Sequence, residues 1–319
     1  MCETAVLLIF FNRPDCLAET FEQIRKAQPK KLYLAQDGPR ENNDADAAGI
    51  ASCRKIVENI DWDCEVHCNY STENFGCGLG PYKAIEWAFQ GEERLIVLED
   101  DCVASQSFFR FCDEMLEKYK DDNRIFLITG CNFELKTQRC KDSYFFGNSG
   151  ANWGWATWKK NWAKMDYQCS WVANDDCRKK VKNALRGVSK RKAKCEMKAF
   201  VDTYQRISNG ENVSYWDIQW QATRYLNDQI SIIPAWNLIT NIGLGPSSTH
   251  ARKSNIPKQL YAKAGEFHFC YNERYELEYP LQHPKDIVVD AVYDACVDKK
   301  LYRSFVQKAF SVLKRMLGR

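Results

Sequence analysis

Three carboxylates in a row, Glu99, Asp100 and Asp101, close the apolar run Leu95-Ile96-Val97-Leu98. Each carboxylate raises the cost of ionising the next, so folding alone gives no reason to place them together. A hard divalent cation prefers carboxylate oxygens and removes that cost. A solvated acidic turn ahead of a helix starting near Ser105 accounts for the same residues, and the triplet alone does not separate the two readings. Asp217 stands near the start of a helical stretch, placed either to take a proton or to cap the helix. Trp153 and Trp155 flank Gly154, where their rings can stack on a sugar or pack in the core. Trp158 and Trp162 follow at helical spacing and read as core.

These residues need a scaffold. Residues 6–11 and 94–98 are uninterrupted apolar runs of the kind that form strands buried on both faces. Residues 31–35 and 64–67 read as two further strands. Helical spacing covers 16–26, 45–59 and 81–90, with Pro81 suited to a first helical turn. Glycine-rich 74–80 lacks the Gly-Lys-Ser/Thr ending of a phosphate loop and reads as a flexible connection near the site. The strand–helix alternation predicts a doubly wound α/β sheet, whose ligands lie at the carboxyl ends of the strands, where the triplet falls. Beyond it, 108–120 and 172–205 read as helices, 125–130 as a strand, and 241–250 as a small-residue loop suited to closing over a ligand.

The chain has 319 residues, 45% hydrophobic and 27% charged, with a net charge of +3. That charge is too small to imply nucleic acid. It is unevenly spread: 178–198 hold ten Lys or Arg against one acid, Glu196, and 301–319 hold five basic residues and no acid. The basic stretch at 178–198 is a solvated face or a contact with an anionic acceptor or lipid. Val306, Phe310, Leu313 and Leu317 give the tail an apolar stripe beside basic residues, expected of a helix on an anionic bilayer or docked on the domain. The fifteen cysteines are odd in number, in a chain that is not small and has no secretory signal, so reduced thiols and a cytoplasmic setting are expected. No apolar run is long enough to span a bilayer.

Taken in order, these stretches resemble GT-A type glycosyltransferases, the N-acetylglucosaminyltransferase I-like enzymes and related bacterial polysaccharide glycosyltransferases. Phe11-Asn12-Arg13-Pro14 is similar to that family's first loop, and Gln36-Asp37 to its uracil-reading loop. Pro81-Tyr82-Lys83 is similar to the helix before the metal strand, and Glu99-Asp100-Asp101 with Phe108-Phe109 to its DxD variant. Gly154-Trp155 and Trp216-Asp217 correspond more loosely to the sugar pocket and catalytic base.

The resemblance implies a GT-A fold, a Rossmann-like, mostly parallel sheet. Its nucleotide-sugar-binding half (1–125) is fused to an acceptor-binding half (126–300), and a basic amphipathic C-terminal helix follows (301–319). It implies Mn2+ (or Mg2+) on Asp101, with Asp100 near the ribose, and donor contacts from Asn12, Arg13, Asp37, Lys83 and Glu99. Ser248, Thr249 and His250 are implied diphosphate contacts. Trp153, Gly154, Trp155 and Trp216 would line the acceptor or sugar pocket. Asp217 would be the base, with Asp175 and Asp176 the next candidates.

The implied activity is inverting transfer from a UDP-sugar such as UDP-GlcNAc or UDP-Gal to a glycan hydroxyl. The glycan acceptor would be polyprenyl-diphosphate-linked, in bacterial surface polysaccharide synthesis at the inner face of the cytoplasmic membrane. A sugar-nucleotide pyrophosphorylase would want a glycine-rich loop after the first strand, where Asn12-Arg13-Pro14-Asp15 has no glycine. A non-catalytic nucleotide-sugar-binding module has no need of an intact triplet. A two-metal nuclease or phosphatase would need a second carboxylate cluster.

Overall fold

Strand β1 (Val6–Phe10) shows why the apolar runs end up central: Leu7 packs on one face of the sheet while Val6, Leu8 and Phe10 pack on the other. The structure, a computed structural model, describes residues 2–243 and 272–302. Strand β4 (Arg94–Glu99) alternates likewise, with Leu95 and Val97 on one face and Ile96 and Leu98 on the other. Side chains of period two buried on both sides require layers of helix above and below.

Those layers come from α1 (Pro14–Ala27), α2 (Asp44–Val57) and α4 (Gln106–Lys118) on one face, through Leu17, Phe21, Cys53, Phe108 and Met115. The other face is covered by α3 (Gly76–Gly91) and α8 (Asp217–Leu226), through Ile85, Phe89 and Trp220. Each such side chain, fully buried, contributes roughly 1.5–3 kcal/mol, so the helices hold fixed positions against the strand ends.

With β2 (Lys31–Gln36), β3 (Glu65–Tyr70), β6 (Ile125–Thr129), β7 (Tyr144–Gly147), β8 (Trp155–Trp158) and β9 (Ile230–Pro234), these strands form one eight-stranded sheet, ordered β3-β2-β1-β4-β8-β6-β9-β7. Strands β3, β2, β1 and β4 are mutually parallel, a Rossmann-like α/β arrangement. Strand β8 runs antiparallel between β4 and β6, so the sheet passes unbroken from the first half of the chain into the second. A small antiparallel pair, β5 (Cys102–Ala104) and β10 (Ile239–Asn241), lies just past the end of β4.

Several elements differ from the sequence reading. Trp158, expected on a helix with Trp162, ends β8 with Trp155 at its start; the spacing of four imitates helical periodicity, only Trp162 falls in the short α5 (Lys159–Trp162), and both Trp158 and Trp162 are buried as expected. The stretch 172–205 is a 3-10 turn (Ser170–Ala173) followed by two helices, α6 (Asp175–Val188) and α7 (Lys190–Ser208). Ser189 separates them, its hydroxyl accepting from Lys192 N at 3.0 Å to cap the second. The glycine stretch at 76–80 is the first turn of α3, with Pro81 inside the helix. A Cβ on Gly78 would stand 2.0 Å from the Val213 carbonyl oxygen, so glycine is what lets α3 meet the segment leading into α8.

Helix α9 (Ala291–Leu301) closes the described chain. The expected amphipathic helix beyond it lies outside the described residues, apart from its first two positions. Among the described residues every cysteine is a free thiol, and no helix is long and apolar enough to cross a membrane.

Candidate functional site

The strand order sets the location. From β1 the chain winds outward to β2 and β3, then returns to place β4 on the other side of β1. The carboxyl ends of β1 and β4 therefore flank a topological switch point, the crevice in which open α/β sheets take ligands. Arg13 follows β1 as the residue before α1, and Asp100 and Asp101 follow β4.

Across that crevice the Arg13 guanidinium grips both aspartates. Its Nη2 donates to Asp100 Oδ1 and to Asp101 Oδ2, the latter at 2.9 Å, and its Nε donates to Asp100 Oδ2 at 3.4 Å. Phe11 N also donates to Asp100 Oδ2, and Thr20 Oγ1 donates to the Asp100 carbonyl at 3.0 Å. Burial works against the charge on Arg13, but Asp100 and then Asp101 raise the guanidinium above its ordinary pKa. Asp100 is itself raised, burial outweighing the help of Arg13. Glu99 is pushed up to about 8, first by burial and then by the charges on Asp101 and Asp100.

Asp101 is held from a second side. Asn241 Nδ2 donates to Asp101 Oδ1 at 3.2 Å, Cys102 Sγ lies 3.5 Å from the same oxygen, and Ile242 N donates to the Asp101 carbonyl at 2.9 Å. A Cβ on Gly243 would fall 1.8 Å from Asp101 Oδ2. The β5–β10 pair thus brings residues 241–243 onto the carboxylate; the sequence reading took 241–250 as a loop closing over a ligand, whereas Asn241 ends β10 and touches Asp101 directly. That contact with Asp101 comes from the tertiary pairing of β10 with β5.

The third wall is the N-terminus of α3. Asp37 Oδ1 accepts from Phe75 N (2.8 Å) and Gly38 N (3.1 Å), and Oδ2 accepts from Gly76 N (2.8 Å). An anion at the start of a helix is favoured by the orphan N–H groups and the helix dipole. Burial nonetheless raises the Asp37 pKa, outweighing those three donors. Its structural task is to hold this turn. Lys83 lies on α3 with Nζ 3.5 Å over the Phe75 ring. Gln36 is buried, donating to the Phe11 carbonyl at 2.8 Å and accepting from Arg54. Asn12 donates to Asp46 Oδ1 at 2.6 Å, which fixes the loop carrying Arg13.

Asp217 opens α8, and the lead-in to that helix packs on the first turn of α3, where Cys77 Sγ donates to the Ser214 carbonyl at 3.0 Å; the Asp217 charge is the least of those that raise Glu99. Cys77, on the first turn of α3, feels both Glu99 and Asp37, though burial is the larger cause of its raised pKa. By contrast, Asp175 and Asp176 are exposed on α6, ion-paired to Arg178 and Lys179 on the next turn.

The tryptophans do not form an open sugar platform. Trp155 is 1% exposed and Trp216 4%, and the rings of Trp155, Trp162, Trp216 and Trp220 form one cluster with neighbouring centroids 4.9–6.2 Å apart. Burial on the face shared by α3 and α8 explains this: the sheet and both helices are apolar there. Gly154 is buried, its carbonyl accepting from Gly130 N at 2.8 Å, and Trp153 is half-buried against the opposite core. Ser248, Thr249 and His250 lie outside the described residues.

Among the described residues no group of three or more Asp, Glu, His or Cys side chains converges to ligate a metal unaided. A self-sufficient protein cage does not fit. A small divalent ion held by one carboxylate, with substrate phosphates and water completing its shell, does fit the oxygen donors of Asp101.

No protein-family model matches the sequence, and no curated protein matches it. Among solved structures, the chain has a partial likeness to a UDP-glucose pyrophosphorylase complexed with UDP-glucose, with 13% identity over 46% of this chain and a TM-score of 0.26. The match takes in 62% of that protein, less than two thirds of its length. A likeness this slight carries no argument about fold or function.

Proposed function

We propose that the crevice binds a nucleoside-diphosphate sugar and that the chain is an inverting, metal-dependent glycosyltransferase of the GT-A type. The observation that carries the reading is the meeting of Arg13, Asp100 and Asp101 at the switch point, with the lead-in to α8 and Asp217 packed on the first turn of α3 beside it. A cationic fork beside a pair of carboxylates suits a diphosphate that bridges both: the guanidinium takes phosphate oxygens in a planar, bidentate fashion. Asp101 would hold Mn2+ or Mg2+, whose Lewis acidity neutralises the leaving diphosphate when it is bound.

Each residue then has a task. Arg13 places positive charge where the leaving group becomes negative. Asp100, fixed by Arg13, Phe11 N and Thr20, supplies acceptors for a ribose hydroxyl. Asp37 orders the α3 turn and keeps lone pairs for a nucleobase N–H. Asp217 takes the proton from the attacking acceptor hydroxyl, a contribution of about 10²–10⁴ in rate. A single base with attack opposite the leaving group inverts the anomeric centre. A UDP donor, a lipid-linked glycan acceptor and attachment to an anionic membrane through the C-terminal residues belong to the same proposal.

A screen of UDP-GlcNAc, UDP-Gal and UDP-Glc for Mn2+-dependent hydrolysis and thermal stabilisation tests it. The expected result is stabilisation by at least one donor, lost in chelator, with UDP released on turnover. Asp217→Asn should abolish turnover while Mn2+-dependent binding remains. Formation of UTP from a UDP-sugar and pyrophosphate would instead identify a pyrophosphorylase.

A further inference from the structure

Arg13 sits where a divalent cation has to go. Its Nη2 lies 2.9 Å from Asp101 Oδ2 and also bonds Asp100, and it is the ion-pair partner of both aspartates. The Asp100 side chain is 4% exposed and Asp101 12%, so water does little to screen them, whereas the Arg13 side chain is 21% exposed. The other oxygen of Asp101 is held by Asn241 and faces Cys102. A divalent ion reaching Asp101 therefore meets the guanidinium at about hydrogen-bond spacing, and two cations that close repel strongly where water is scarce.

A diphosphate changes this balance. It offers Arg13 a bidentate acceptor in place of the aspartates, and it adds negative charge and oxygen ligands for the ion. We propose that Arg13 is an internal counter-cation that keeps the divalent ion off Asp101 until a nucleoside diphosphate arrives. The guanidinium then passes from the carboxylates to the diphosphate, and ion and nucleotide enter as a coupled pair. The proposal rests on the reading of the crevice as a nucleotide-sugar site, and it adds a binding order which that reading does not require. By linkage, each ligand must tighten the other by the same factor.

The test is a titration of Mn2+ into the full chain, following loss of the free-ion paramagnetic resonance signal, with and without UDP. The wild type should bind Mn2+ at least about tenfold more tightly with UDP than without, a coupling of about 1.4 kcal/mol. Arg13→Gln should bind Mn2+ alone at least about tenfold more tightly than the wild type, and UDP should add little. Arg13→Lys keeps the charge without the fork and should resemble the wild type in rejecting Mn2+ alone. If Arg13→Gln does not fold, the wild-type and Arg13→Lys titrations still decide. Equal Mn2+ affinity in the wild type with and without UDP, or in folded Arg13→Gln and the wild type without UDP, overturns the proposal alone. Absence of Mn2+ binding by the wild type even with UDP overturns both the proposal and the functional reading beneath it.

Discussion

The side-chain amide of Asn241 donates to Asp101 Oδ1 at 3.2 Å, joining two residues 140 positions apart in the chain. The contact exists because β10 pairs with β5, bringing Asn241 opposite Cys102, the residue that follows Asp101. Asp101 is aimed from two sides, by Asn241 on one oxygen and Arg13 on the other, and the proposed metal site depends on that aim.

Replacing Asn241 with Leu, which is similar in size but cannot donate, releases Oδ1. Hydrogen bonds to charged groups contribute about 1.5–3 kcal/mol, so Mn2+-dependent donor affinity should fall roughly ten- to hundredfold. Calorimetric titration of a UDP-sugar measures this. Unchanged affinity in Asn241→Leu would show that Asp101 needs no such support.

A second expectation concerns the loop that carries Arg13. Asp46 is 1% exposed and accepts from Asn12 and from Arg40, and the bonds from Arg40 are the first cause of its lowered pKa. A carboxyl whose folded pKa is depressed adds stability above its unfolded pKa of about 3.9, and loses it as pH falls through the folded value. Asp46→Asn should be about 1–3 kcal/mol less stable than the wild type at pH 7, and the gap should narrow as pH drops below about 4. Chemical denaturation across pH 3–7 checks the sign. A gap that widens towards low pH contradicts the assignment.

Trp155 separates core from sugar pocket. With the side chain 1% exposed, Trp155→Phe should cost about 1–3 kcal/mol, part of the 3–5 kcal/mol typical of full truncation of a buried aromatic. Donor and acceptor KM should stay at wild-type values. A rise in KM without loss of stability would return the ring to the sugar pocket.

How much of this was legible in the sequence follows from what each residue's neighbours are. Runs such as Val6–Phe10 and Arg94–Glu99 announce themselves because both faces are apolar, and the triplet is conspicuous because like charges repel. Strand β3 is weaker: Glu65-Val66-His67-Cys68 lies at the sheet edge and is mostly exposed, so its pattern extends further than its apolar content suggests. Strand β8 is hidden because Trp158 and Trp162 have helical spacing, although Trp158 lies on a strand between β4 and β6. The first turn of α3 looks like a loop in sequence because it is rich in glycine. It is helical because Asp37, some forty residues earlier, captures its N–H groups. Strands β7, β9 and β10, and with them Asn241, are fixed by pairing across more than eighty residues, which no local pattern encodes.

The most direct test of the central claim is calorimetric titration of UDP into the wild type and Asp101→Asn, each with Mn2+ and with chelator. The account predicts that Mn2+ tightens UDP binding at least about tenfold in the wild type and leaves Asp101→Asn at the weak affinity seen in chelator. Asp101→Asn binding UDP with full Mn2+-dependent affinity would contradict it.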